Sequence, residues 1–252
     1  MGTTLARLSI DALDPAAVAR FWAELLGWQV VTETTGEVTV RGPAPRGAAV
    51  ELAFVPVAAP KEVKNRIHLD VASATAEHQR SLVDSAVERG AQKADIGQGP
   101  APWEVLADPE GNEFCVLEPR PEYADTGALA AIVVDAYEPR VLAEFWAAAL
   151  GGTVVRRYPE LVGLRMPDGE GPWLEILQND DLVPQGRRIR PVVVTGPGAD
   201  VEAEVARLSR LGARPLESAG SAERAARAFA DPEGGAFELE EAARPFDRQG
   251  GQ

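Results

Sequence analysis

The chain repeats itself, and that repetition constrains every later step. Asp11, Ala12, Pro15, Ala19, Phe21, Trp22, Ala23, Leu26 and Gly27 recur 124 positions on as Asp135, Ala136, Pro139, Ala143, Phe145, Trp146, Ala147, Leu150 and Gly151. A second block, Ala107 to Gly111 with Phe114, returns 123 positions on as Ala230 to Gly234 with Phe237. Register held to within one residue over two such distant blocks marks a tandem duplication, with units near residues 5–120 and 129–242. Copies of this length are domains, because solenoid repeats are shorter and need about three or more copies to stack. The stretch Pro119 to Gly127 between the units is polar and broken by two prolines, as a linker is. The end, Arg244 to Gln252, is polar and glycine-rich and should fray. The expected layout is a domain at 1–120, a linker at 121–128, a domain at 129–243 and a tail at 244–252.

Each unit divides again. In the first, the strand-like LARLSID precedes Val18, Phe21, Trp22, Leu25 and Leu26, whose spacing places them on one face of a helix. Asp14 or Asp11 can cap that helix, Pro15 suits its first turn and Gly27 its end. Three strand candidates follow, WQVVTET, VTVRG and VELAFVPV. The order then restarts with the strand IHLDVA, a helix with Leu82, Val83, Ala86 and Val87 on one side, and three more extended segments. The chain therefore reads as βαβββ four times. One helix per module covers one sheet face and leaves the other to line a cavity.

Composition narrows the partners. With 25 basic against 39 acidic residues the formal charge is −14, which repels phosphate backbones and anionic lipid and argues against nucleic-acid or membrane-surface binding. The single Cys115 cannot form an intrachain disulfide. The opening MGTTLARLSID has no signal-peptide pattern and no run of about 18 apolar residues occurs, so a cytoplasmic protein handling small molecules is expected.

The segments FWAELLGW and FWAAALGG, the strand IHLDVA, and the closing ADPEGNEFCVLEP and ADPEGGAFELEE together resemble the vicinal oxygen chelate superfamily, which groups glyoxalase I, fosfomycin- and bleomycin-resistance proteins and extradiol dioxygenases. The resemblance covers nearly the whole chain. It implies an α+β fold in which four βαβββ modules form two cupped, glyoxalase-like half-barrel domains, each cup made from the two modules of one unit. It also implies a single chain with pseudo-dimeric domains, or a homodimer. In such proteins, ligands for a divalent metal (zinc, iron, manganese or nickel) come from the first and last strands of the modules. Carried onto this sequence, those places read Leu5, Glu51, His68 and Cys115 in the first unit, and Leu129, Glu175, Val192 and Glu238 in the second. Neither set keeps two His and one Glu.

Glu51, His68 and Cys115 are each able to bind a borderline metal such as zinc, and Glu51 and His68 are the catalytic candidates. Against this, Cys115 between Phe114 and Val116 also suits a small buried hydrophobe, and His68 shares a strand face with Asp70 and can bond to it or to a ligand. Glu175 and Glu238 can hold a hard cation, face each other with one protonated, or sit at a solvated rim. Alternation along LARLSID puts Arg7, Ser9 and Asp11 toward the cup, where Arg7 can meet a ligand anion or Glu51. The matching Ala131 and Val133 make the second unit's cup more apolar. Trp22 and Trp146 belong to helix cores, whereas Trp103 and Trp173 have no counterpart in the other repeat and are ligand-contact candidates.

Two functions follow. One is a small-molecule binding or sequestering protein of the glyoxalase/bleomycin-resistance type, its metal site degenerate and its ligand an antibiotic or related secondary metabolite. The other is a superfamily-type enzyme (lyase, isomerase or dioxygenase-like). It would be metal-assisted at Glu51, His68 and Cys115, or metal-free with His68 or a Glu as acid-base.

Overall fold

The computed structural model describes residues 2–43, 50–97, 99–167, 169–182, 188–216 and 226–242; the tail 244–252 lies outside them. Module 1 is β1 (Thr4–Ala12), α1 (Pro15–Leu26), β2 (Gln29–Glu33), β3 (Val38–Arg41) and β4 (Glu51–Pro56). Module 2 is β5 (Ile67–Val71), α2 (Ala76–Glu88), β6 (Gln92–Lys93), β7 (Glu104–Ala107) and β8 (Glu113–Val116). Module 3 is β9 (Leu129–Ala136), α3 (Pro139–Leu150), β10 (Thr153–Arg157), β11 (Leu161–Arg165) and β12 (Trp173–Gln178). Module 4 is β13 (Ile189–Val194), α4 (Val201–Leu211), β14 (Arg214–Pro215), β15 (Arg227–Ala230) and β16 (Ala236–Glu240).

Local signals produce these elements. The Asp14 carboxylate accepts the Ala17 N–H at 3.0 Å, Pro15 occupies the first turn of α1, and Gly27 ends it at φ 66°, a conformation that costs a side chain-bearing residue strain. Along α2, Val83 and Ala86 are buried as expected, while Val87 lies at the margin of that face and is exposed.

The modules assemble differently from the expectation. Among the described residues there are two eight-stranded sheets, β14-β15-β16-β13-β1-β4-β3-β2 (sheet A) and β10-β11-β12-β9-β5-β8-β7-β6 (sheet B). Sheet A joins modules 1 and 4 through antiparallel β1 and β13; sheet B joins modules 2 and 3 through antiparallel β5 and β9. Each cup therefore takes one module from each unit, which corrects the expected pairing within a unit.

What a sequence unit shares is the helical side. Trp22 of α1 packs edge-on against Phe114 of β8 at 5.1 Å, and Trp146 of α3 against Phe237 of β16 at 5.3 Å. The Asp-Pro-Glu-Gly turns lock each unit further. Asp108 accepts the Trp22 indole N–H at 3.1 Å, and Glu110 accepts the backbone N–H groups of Leu13 and Asp14 at the start of α1. Glu233 does the same for Tyr137 and Glu138 before α3. Units thus cohere by burial behind the sheets, while sheet hydrogen bonding runs across units.

Candidate functional site

Strand register fixes what lines each hollow. Across sheet A, Glu51, Arg7, Val192 and Glu238 form one row over β4, β1, β13 and β16, with Ala53, Ser9 and Arg190 in the next. Across sheet B the rows are Trp173, Ala131, Asp70 and Cys115 over β12, β9, β5 and β8, then Glu175, Val133 and His68. Leu5 and Leu129, expected at corners of the cups, belong to the core behind the sheets. In the hollow of sheet A, Arg7 takes the first-strand place.

Duplicated strands in register reveal further corrections. Arg7 matches Ala131 and Ser9 matches Val133, so Trp173 answers to Glu51, and Glu175 to Ala53. On the other strands Arg190, rather than Val192, answers to His68. Glu51 sits in sheet A while His68 and Cys115 sit in sheet B, so the expected metal trio is split. Glu175 and Glu238 likewise line different hollows.

The hollow of sheet A is polar and charge-paired. Arg190 donates to Asp11 at 2.8 Å, to Glu238 at 3.3 Å and to the Ser9 hydroxyl at 3.2 Å. Arg7 pairs with Glu240, not Glu51, whose partner is Arg41. Burial works to lower the Arg190 pKa, but hydrogen bonds and charge attraction from Asp11 and Glu238 together outweigh it and raise the pKa. The side chains of Arg7, Arg190, Glu238 and Glu240 are about one-fifth exposed, so solvent reaches this floor, while Ser9 beneath them is buried.

The hollow of sheet B is more enclosed. His68, Asp70 and Cys115 are buried together, with ligand atoms all within 4.8 Å of one another and His68 Nε2 3.6 Å from Asp70 Oδ1. Burial lowers the His68 pKa from 6.5 to about 4, and burial with the nearby Glu175 raises that of Asp70 from 3.8 to about 7. Burial, then Asp70, pushes the Cys115 thiol up. Glu175 is 3% exposed and raised by burial; it accepts the Tyr123 hydroxyl at 2.9 Å and meets Arg156 at 3.3 Å. Arg156 lies over the Trp173 ring at 4.1 Å, and Trp173 donates its indole N–H to the Glu122 carbonyl. Arg120 reaches over Trp103 at 5.5 Å. An apolar lining of Val105, Leu117, Ala131, Val133 and Trp173 completes the hollow.

Residue reading missed Tyr123, Arg156, Arg190 and Glu240. Tyr123 and Arg156 carried no signal, because one lies in the supposed linker, in a short 3-10 turn, Pro121–Tyr123, and the other on a strand without motif. Arg190 was visible in principle, since the strands IHLDV and IRPVV carry His68 and Arg190 at the same second place.

The donor sets differ in fitness for a metal. In sheet A the row carboxylates Glu51 and Glu238 face Arg41 and Arg190, which occupy the lone pairs an ion would need. In sheet B one N, one O and one S donor converge, and His68 Nδ1 and Asp70 Oδ1 are buried without a hydrogen-bond partner among the described residues. That mixed set suits a borderline ion.

Known proteins agree with this architecture. Glyoxalase I from Zea mays superposes with a TM-score of 0.65 at 17% identity, over 94% of this chain and 92% of its own. A protein from Bacillus subtilis subsp. subtilis str. 168 does so with a TM-score of 0.62 at 12% identity, over 98% and 87%. No curated protein matches the sequence. No helix among the described residues is long and apolar enough to cross a membrane. The glyoxalase-like domain model matches residues 7–117 and again 131–240, and the chain therefore belongs to the glyoxalase-like domain family, as two copies in tandem.

Proposed function

We propose that the protein binds a small molecule in the hollow of sheet A without a metal. The observation carrying this reading is the accessible floor on which Arg7, Arg41 and Arg190 meet Glu240, Glu51, Glu238 and Asp11. Such pairs exchange partners with a ligand that presents both an anionic and a hydrogen-donating group, and exchange costs little where solvent already reaches them. A polar aromatic antibiotic or related secondary metabolite bearing both kinds of group suits this floor. The chain supplies both halves of each hollow, so a monomer suffices, and its free cysteine suits the cytoplasm. The boundaries 1–120, 121–128 and 129–243 are proposed as those of the duplicated units and their linker.

Thermal-shift screening against polar aromatic natural products tests this. A ligand that raises the melting temperature, is recovered unchanged, and loses its effect in Arg190→Ala supports sequestration. Undiminished binding in Arg190→Ala, or consumption of the compound, refutes it.

The His68, Asp70 and Cys115 cluster favours a second reading, an enzyme centred in sheet B. These three would hold a zinc, iron, manganese or nickel ion, which supplies a Lewis acid for lyase, isomerase or ring-opening chemistry. His68 is neutral at pH 7 and free to ligate; in the metal-free form of this reading Asp70, titrating near 7, is instead suited to move a proton. Tyr123 and Arg156 hold Glu175 in place beside them. About one transition-metal ion per purified chain, lost in His68→Ala, supports this reading; metal-free protein argues against the metal-assisted form.

A further inference from the structure

A third cavity lies outside both hollows, on the helical side where the two sheets meet. It is partly open to solvent, holds about 130 Å³, and is lined by Ile67 and Val134 of sheet B, Ile189 and Pro191 of sheet A, Trp146 of α3, and Asp231, with Arg66 and Glu233 at its charged side. The duplication explains why it exists. In the first repeat, Asn112 donates to both oxygens of Asp108 at 3.2 and 2.9 Å, Asn65 donates to Asn112 at 2.9 Å, and Trp22 donates to Asp108. The corresponding turn has Gly235 where Asn112 stands. A Cβ there would come within 2.4 Å of Asp231 Oδ2 and 2.8 Å of Arg66 Nη1, so the guanidinium occupies part of the room the carboxamide fills in the other copy. Arg66 lies 3.6 Å from Asp231 and 3.1 Å from Glu233. Trp146 is 3% exposed, and its Nε1 is buried without a hydrogen-bond partner among the described residues, although its twin Trp22 is satisfied by Asp108.

We infer that this cavity is a second small-molecule site, separate from either hollow, for a single-ring neutral molecule carrying one hydroxyl. Three features define that class. A hydroxyl accepts from the Trp146 indole and donates to Asp231, the two polar groups that the first repeat joins directly. The ring packs on Ile67, Val134, Ile189 and Pro191. The volume is close to the roughly 150 Å³ of an engineered protein cavity that takes benzene. A buried donor without an acceptor carries a desolvation penalty, and a ligand oxygen removes it.

The test is an NMR titration with phenol, following the Trp146 indole N–H, assigned by its absence in Trp146→Phe. The expected result is a saturable shift of that resonance. Toluene, which keeps the ring and lacks the hydroxyl, should bind about tenfold more weakly. Gly235→Asn, which restores the side chain of the filled copy, should weaken phenol binding at least about tenfold. No saturable shift, equal binding of toluene and phenol, or full binding in a folded Gly235→Asn variant would each overturn the inference. The comparison of the two probes on the natural protein stands even where a variant fails to fold.

Discussion

His68 and Asp70 share one face of β5, and burial moves their proton affinities in opposite directions. The folded state lowers His68 from 6.5 to about 4 and raises Asp70 from 3.8 to about 7. Between roughly pH 4 and 6.5 the unfolded chain carries a proton on His68 and none on Asp70, whereas the folded chain carries the reverse. The two states then bind equal numbers of protons, and the pair adds almost no pH slope to stability. Removing one member uncovers the other. His68 alone has a depressed folded pKa, so its contribution is full above 6.5 and is lost as the pH falls through about 4. At 1.36 kcal/mol per pH unit that span is worth about 3 kcal/mol. Asp70 alone has a raised folded pKa, so its contribution is full below 3.8 and is lost as the pH rises through about 7, about 4 kcal/mol in all.

Asp70→Asn mimics the protonated acid and cannot titrate. Relative to the natural protein, this variant lacks the stability that Asp70 supplies on acidification and should fall behind by about 3 kcal/mol between pH 7 and pH 4. His68→Gln should move the other way and gain on acidification. Urea unfolding of all three proteins across that range measures both differences, and contributions of the remaining groups cancel in the comparison. A stability gap that stays constant with pH for both variants would refute the reasoning.

Three further outcomes are expected. Trp22→Phe should destabilise by about 1–2 kcal/mol more than Trp146→Phe, because only the Trp22 indole satisfies a buried carboxylate; equal losses in urea unfolding would contradict this. Asp14→Ala should cost about 1 kcal/mol by removing the α1 cap, while Glu138→Ala, which makes no side-chain cap at α3, should stay within about 0.5 kcal/mol, as read from the two melting curves. Tyr123→Phe should cost about 1–3 kcal/mol by leaving the buried Glu175 short of a donor, and a neutral effect would show that the supposed linker is not anchored in the hollow of sheet B.

Much of this molecule was legible in the residues. Val18, Phe21, Trp22, Leu25 and Leu26 were read as one buried helix face, and all are buried. Alternation assigns Arg7, Ser9 and Asp11 to the face away from the helix; Arg190 bonds Ser9 and Asp11, and Arg7 pairs with Glu240. The candidate sites fared less well. A constant offset of 124 residues sets Glu175 against Glu51 and Val192 against His68, whereas strand register sets Trp173 against Glu51 and Arg190 against His68. A shift of two preserves the face of a strand residue and changes its neighbours, so inward residues were recognised while their partners were not. Tyr123 lay beyond any periodic pattern.

The sequence by itself determined the module, its fourfold use and which side of each strand meets a helix, because these depend on spacing within a few consecutive residues. Only the tertiary structure decided that the first module shares a sheet with the last and the second with the third. Backbone hydrogen bonds between β1 and β13, or β5 and β9, are made by groups every residue possesses, so partner choice is written in no single segment. Joint burial of Trp22 on Phe114 and of Trp146 on Phe237 holds the two modules of each unit back to back, while β1 pairs with β13 and β5 with β9 of the other unit.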